Sequence, residues 1–483
     1  MKSNALHEAP LADPTSLISA SDPDRVGHSQ RLSTGSFLTD SIPKLLLGLA
    51  IPTTIVMLAQ IAISVAEVYY ISALGTSVLA GAALVFPLQM LMSTMSAGGF
   101  GNGVSSAVSR ALGAQEHREI QKIITHSIVI SLTLGLISFL IMFVGGRWIY
   151  SALGGIDASL NAAQEYSDIV FLGAIPLWVT NILSAVYRGL GNPLFPAKIT
   201  LVGAIFLIPL SPLLIFGLGP IPGLGVAGAG WALFIYYSVA ASLLGIALQR
   251  DHFAGQPWKW EINKATFSRI LRIGIPSSLN AVQSGILVVI VTSMAAGLGV
   301  NALAAYGIAS RLDALLVPLL FGLGSAALTA TGVNFSAGKS HRAHSVAWTA
   351  AGIAILISGL PALLLALAPS IWMSLFTNAP DIILLGCEYL HISALTFPLI
   401  SASFIITFAL QGAGHSFWPS TAVTLRLFLV SVLAYVSIHA FELGLQALAL
   451  ANMAGSILYV TFCLLPMFKP SIWGTLNKND RAH

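Results

Sequence analysis

What most constrains this chain is a series of long apolar runs, each too poor in charge to face water. An α-helix crosses the hydrocarbon of a bilayer in about 20 such residues. The composition agrees: 56% of residues are hydrophobic and 8% charged, against roughly a quarter charged in a soluble domain. Read between breakers, the runs predict helices near 43–70, 76–105, 119–145, 160–188, 195–217 and 223–249. A second set is predicted near 267–297, 302–331, 343–368, 383–411, 417–439 and 443–468. The fold class expected is an all-α polytopic membrane protein of about twelve transmembrane helices.

The two sets of six repeat each other. Leu47-Gly48-Leu49-Ala50-Ile51-Pro52 answers to Leu271-Arg272-Ile273-Gly274-Ile275-Pro276, 224 residues later. The same interval carries Leu74-Gly75 onto Leu298-Gly299, Leu79-Ala80 onto Leu303-Ala304, and His117-Arg118 onto His341-Arg342. Six helices per half is an even number, so the repeats run parallel, related by an axis along the membrane normal. That is an architecture of secondary transporters, with the cargo path between the halves. The expected organisation is a flexible cytoplasmic tail (1–42), a first lobe (43–250), a polar linker (251–266), a second lobe (267–468) and a C-terminal tail (469–483).

Charge sets the orientation. With the N-terminus in the cytoplasm, Arg147 is the one basic residue in all the outer loops. Arg110, Arg118, Arg188, Lys198, Arg269, Arg272, Lys339 and Arg342 are among those at the inner helix ends and loops. That asymmetry follows the positive-inside rule and predicts both termini in the cytoplasm. The two cysteines, Cys387 and Cys463, both lie in apolar runs and imply neither a disulfide framework nor a metal site.

Charged side chains inside such helices are costly, so each asks for a reason. Glu67 lies in the first helix, with Gln60 two turns earlier on the same face. Two readings of Glu67 stand side by side. Beside Tyr69 and Tyr70 it fits an interfacial carboxylate in an aromatic belt. Facing a wet cavity between the lobes, it fits a cation site that trades a proton for its cargo. Arg311 and Asp313 lie in the eighth helix, two residues apart and so not facing each other. Arg311 is expected in a structural ion pair of the second lobe. Asp313 is equally open to a structural role, with Arg426 of the eleventh helix as its partner, and to a functional one. Asn181 and Gln411 line a cavity or tie helices together, the second use being the commoner. Pro52 and Pro276, equivalent in the repeat, are expected to mark bends in two gating helices.

Several segments together resemble the multidrug and toxic compound extrusion (MATE) transporters. They are Val108-Ser109-Arg110-Ala111-Leu112-Gly113-Ala114, Arg188-Gly189-Leu190-Gly191-Asn192-Pro193, and Leu224-Gly225-Val226-Ala227-Gly228-Ala229. In the second half, Ala304-Ala305-Tyr306-Gly307-Ile308-Ala309-Ser310-Arg311-Leu312-Asp313 is similar to the prokaryotic branch that includes DNA-damage-inducible protein F-like members. The resemblance covers about 43–468. It implies two six-helix lobes forming a V, which rock between inward- and outward-open states and exchange organic cations or amphipathic drugs for sodium ions or protons. The family's first helix usually carries an Asp in its outer half, where Glu67 stands, and Asp313 matches its acidic position in the eighth. One departure matters. Where relatives have an Asn and an Asp-Pro in the fifth helix, this chain has Leu207 and Ser211-Pro212. The loss of those oxygens favours protons carried by Glu67 over a weak sodium site near it.

The expected function is a cation-coupled antiporter of the bacterial inner membrane that exports organic cations or amphipathic small molecules. Its coupling or cargo residues are Glu67, Asp313, Gln60 and Asn181, and Pro52, Pro276, Arg311 and Arg426 are gating or structural. Its partners are the cargo and the lipid bilayer, with no nucleic acid and no cofactor, and the expected state is a monomer. The rivals are a flippase for a lipid-linked precursor, which needs a cationic central cavity, and a passive channel. An enzyme is disfavoured because no nucleophile–base pair, metal-ligand spacing or phosphate loop is found.

Overall fold

In the computed structural model of the chain, residues 34–219, 221–253, 262–440 and 443–473 are described. Among them, eleven helices are long and apolar enough to cross a membrane. In chain order they are Ile42–Ser72, Thr76–Gly113, His117–Ala152, Leu194–Phe216, Val226–Phe253, Lys264–Gly297, Val300–Ser336, Ser340–Leu367, Pro380–Gly412, Phe417–His439 and Leu445–Phe468. Asp157–Leu172 and Ala174–Gly189, bent by 44°, together make a further span, the fourth, for twelve in all. The apolar runs therefore mark the helices well, but several helices outlast them. The second and eighth continue to Gly113 and Ser336, past the predicted 105 and 331. Helix six reaches Phe253 and helix seven begins at Lys264, which narrows the expected linker, and 254–261 lie outside the described residues.

The repeated Leu-Gly pair has a local cause. Gly75 and Gly299 each stand one residue before an even-numbered span and both have φ +112°, a region an L side chain seldom enters. The same backbone corner thus turns span one into span two and span seven into span eight.

Spans one and seven each belong to two cores. Near its start, span one buries Leu45, Leu46, Leu49 and Ala50 against Leu320, Leu323, Ala326 and Val333 of span eight, in the other half. Further along, its Ile63 and Ile71 enter the core of its own half. Span seven mirrors this. Ile270 joins the first half's core, whereas Leu287, Val291 and Ala295 pack in the second half's. The change of partner falls shortly after a proline in each, between Thr54 and Ile63 beyond Pro52 and between Ser278 and Leu287 beyond Pro276. Proline removes the N–H that would bond the carbonyl four residues back. At Pro276 the freed carbonyl belongs to Arg272, and Ser416 Oγ donates to it at 2.7 Å.

The halves meet at the end that carries the basic loops, hereafter the basic end. Glycines let the backbones approach there. A Cβ on Gly103 would stand 2.6 Å from the Ile270 carbonyl oxygen, and one on Gly99 would collide with Ser278. Asn102 Nδ2 donates to Gln411 Oε1 at 3.0 Å, and Thr329 Oγ1 donates to the Arg188 carbonyl at 3.2 Å. Toward this end too lie the bonds from Ser106 Oγ to the Gln411 carbonyl and from Thr266 Oγ1 and Arg269 Nη1 to Glu119 Oε1.

Within the expected tail (1–42), Thr34–Thr39 is a helix and Phe37 is fully buried against spans eight and nine. Asn334 Nδ2 and Arg342 Nε both donate to the Phe37 carbonyl at 3.1 Å, and Arg342 also holds the Asp40 carbonyl. A polar stretch with one apolar anchor reads as a tail. The donors that dock it come from side chains about 300 positions away.

Candidate functional site

Glu67 lies five residues before the end of span one, at the end opposite the basic loops. Tyr69, two residues on, points the other way and is 72% exposed, as an aromatic belt residue should be. Glu67 is 4% exposed, with Ile63 and Ile71 one turn to either side on the same buried face. Its Oε1 is buried and has no hydrogen-bond partner. The charge lies within electrostatic reach of the phenols of Tyr166 in span four and Tyr237 in span six. Tyr166 is itself fully buried, with its hydroxyl unpartnered. A carboxyl placed so must have its charge matched by a cation or removed by a proton, because nothing else offsets the lost hydration.

The fifth span packs on the first. In it Leu207 and Ser211 are buried, and Ser211 Oγ lacks a partner. Ser211 stands five residues from the end of its helix, as Glu67 does in its own. Glu67, two phenols and the unpartnered hydroxyl of Ser211 thus lie toward this end of the first lobe. Among the described residues no group of three or more His, Cys, Asp and Glu is placed to hold a metal.

The other candidates do not converge on Glu67. Gln60 is half-buried on the same helix. Asn181 is buried toward the basic end of span four, where its Nδ2 donates to Ser96 Oγ at 2.6 Å. It is a tie between spans four and two. Gln411 is a tie between the halves.

In the second half, Arg311 is exposed and makes no ion pair among the described residues. Its guanidinium carbon stands 5.4 Å from the Phe376 ring centroid. Residue 311 falls on the exposed stripe of its helix with Gly307 and Leu315, where its side chain meets this aromatic face. The side chain of Asp313 lies outside the described residues. Arg426 is half-buried, stands 5.8 Å from the Tyr459 ring, and lines a cavity of about 90 Å³ with Tyr306, Tyr389, Ser393 and Asn452.

Sequence reasoning passed over two further groups. Arg188 counted only as an inner-end cation. It is 7% exposed, donates from Nη2 to the Ala97 carbonyl at 3.2 Å, and approaches Phe321 of the other half. That carbonyl lies in the π-helical turn Met95–Phe100, a widened turn that leaves backbone groups to be satisfied from outside. Asp168 of span four accepts from Gln164 Nε2 at 2.6 Å. Both signals were present as charged residues within or bordering apolar runs.

Comparison with known proteins bears on the same architecture. A family model described as MatE matches residues 52–213 and 276–436, one match in each half. An FAD transporter of Shewanella oneidensis is 27% identical over 434 residues, covering 88% of this chain and 94% of the relative. The multidrug export protein MepA of Staphylococcus haemolyticus is 27% identical over 388 residues, covering 78% and 83%. Among solved structures, a MATE protein in a bent conformation superposes with a TM-score of 0.81 at 24% identity, covering 91% of this chain and 98% of the other. A MOP superfamily transporter from Pyrococcus furiosus does so with a TM-score of 0.79 at 23% identity and the same coverage. At these identities the solved structures speak for the fold alone.

Proposed function

The chain belongs to the MatE family of multi-pass membrane transporters, and from that premise we propose that it is a cation-coupled antiporter exporting organic cations or amphipathic small molecules. The observation that carries this reading is Glu67, a buried carboxyl without a hydrogen-bond partner, on a helix whose two ends pack in different halves. In the proposed cycle the ionised carboxylate holds a cationic cargo. A proton arriving from outside neutralises it and releases the cargo. For a monovalent cargo the exchange moves no net charge, so the pH gradient drives it, at about 1.4 kcal/mol per pH unit. Protons are the proposed coupling ion, since the fifth span offers Ser211 but no carboxylate to complete a sodium site.

With the basic end in the cytoplasm of a bacterium, the arrangement described is closed inward and the termini are cytoplasmic. Pro52 and Pro276 lie just before the stretches over which spans one and seven change partners, so they are the proposed hinges. The proposed unit is a monomer, since each half supplies the contacts the other lacks.

The test is export of a fluorescent organic cation from reconstituted vesicles under an imposed proton gradient, comparing the intact protein with Glu67→Gln. Transport by the intact protein and its loss in a well-folded variant support the reading. Transport that follows a sodium gradient and ignores pH would sink the proton assignment. A second reading, an anionic aromatic cargo, is favoured by the extent of the match to the Shewanella FAD transporter and by Arg426 lining the second half's cavity. Vesicles loaded with FAD discriminate the two.

A further inference from the structure

We propose that the basic end carries a binding site for an anionic phospholipid, its phosphate seated between Arg110 and Arg272 and its acyl chains lying in the groove between spans seven and eleven. A cavity of about 310 Å³ opens there, lined by Arg110 of span two, Arg269 and Arg272 of span seven, Glu116, Ser336 and Gly414. Arg269 is committed: its Nη1 lies 3.3 Å from Glu119 and 3.7 Å from Glu116. Arg110 and Arg272 make no ion pair among the described residues. Arg110 is half-buried, and its guanidinium rests over Gly414, at φ +92°, where a Cβ would displace it. Two guanidiniums facing one cavity repel each other unless an anion sits between them, and a phosphate oxygen accepts from both.

The second part of the site is apolar. A groove of about 700 Å³ shares Arg272 and Gly414 with the first cavity and continues along Ile275, Leu279, Phe417 and Trp418. Ile275, Leu279 and Phe417 are 54%, 48% and 73% exposed. The halves are packed together at this end, so apolar surface left open here looks out to the bilayer and not into a cleft. Lys469 Nζ stands 4.2 Å over the Trp418 ring and adds a cation at the groove's mouth. A polar, positive chamber that opens into an apolar, lipid-facing groove at the level of the headgroups has the shape of one ligand class. Arg110 comes from the first half and Arg272 from the second. A lipid held by both therefore favours the arrangement closed at the basic end.

The test titrates dioleoylphosphatidylglycerol, dioleoylphosphatidylcholine and inorganic phosphate separately into the detergent-solubilised full chain, with bound lipid read by native mass spectrometry. Phosphatidylglycerol should be retained where phosphatidylcholine is not. Arg272→Gln should weaken retention by about fivefold, the share of one lost surface cation, and Lys198→Gln, also exposed at the basic end, should leave it unchanged. Arg272 is exposed, so its variant is expected to fold, which thermal unfolding without lipid checks. Leu279→Trp, which fills the groove, supplies an independent arm and should also lower lipid retention. Equal retention of both lipids overturns the proposal, as does an Arg272→Gln protein that binds phosphatidylglycerol like the parent. Inorganic phosphate that displaces the lipid at equal concentration shows an anion site without a lipid groove, and overturns it too.

Discussion

Ser105 Oγ and Thr329 Oγ1 lie 3.5 Å apart, and the two residues are separated by 224 positions, the interval that maps one half of the chain onto the other. Residues equivalent by a two-fold axis can touch only where they lie on that axis. This pair therefore marks where the axis passes through the interface at the basic end. Thr54 and Ser278, also equivalent, each meet a glycine of the opposite half, Gly322 and Gly99 respectively.

A disulfide between Ser105→Cys and Thr329→Cys should hold the basic end shut. The expected outcome is transport lost on oxidation and recovered on reduction, each single variant remaining active. Full transport by a quantitatively cross-linked protein means that this interface does not need to open.

Glu67→Gln should leave thermal stability unchanged or slightly raised, because it replaces a buried carboxyl that has no hydrogen-bond partner with a neutral group of similar size. Transport driven by a proton gradient should fall at least about tenfold, or about 1.4 kcal/mol of the driving interaction. A variant as active as the parent places the coupling group elsewhere, with Asp313 and Asp168 the next residues to substitute.

Gly103→Ala should push the halves apart. Its Cβ would stand 2.6 Å from the Ile270 carbonyl oxygen and 2.8 Å from the Gly274 nitrogen, both backbone atoms. Overpacking of this kind costs about 1–3 kcal/mol. Because the strain exists only in the closed arrangement, it should appear as a population shift of roughly 5–150-fold. The readout is faster thiol labelling of a cysteine at position 105. An unchanged labelling rate shows that spans two and seven relax without opening.

Pro276→Ala restores an N–H to span seven, which then competes with Ser416 Oγ for the Arg272 carbonyl. Stability should hold or rise by about 1 kcal/mol, while transport slows, since a straighter helix opposes the exchange of packing partners. Transport at the parental rate removes Pro276 from the list of hinges.

Phe37→Ala deletes the apolar anchor of the short helix Thr34–Thr39, at a local cost of about 3 kcal/mol. Hydrogen exchange at residues 34–40 should rise sharply, with the spans unaffected. Protection that persists means that Asn334 and Arg342 hold the segment by its carbonyls alone.

The sequence by itself determined the helices, their number and their duplication. Each follows from a one-dimensional quantity: run length against bilayer thickness, or a repeat interval. Glu67 stood out for the same reason, as a charge within an apolar run. Which way it faces did not follow, since Tyr69 and Glu67 are neighbours in sequence and point to opposite sides of one helix. Asn181 was a candidate cargo residue and Arg188 a helix-end cation, until folding set them against Ser96 and Ala97 of another span. The aromatic face that Phe376 offers Arg311 was likewise a matter of tertiary structure. Contacts between helices depend on rotation about each axis and on which backbones glycine allows to close. Small differences in packing across distant segments fix those two quantities, and no local pattern records them.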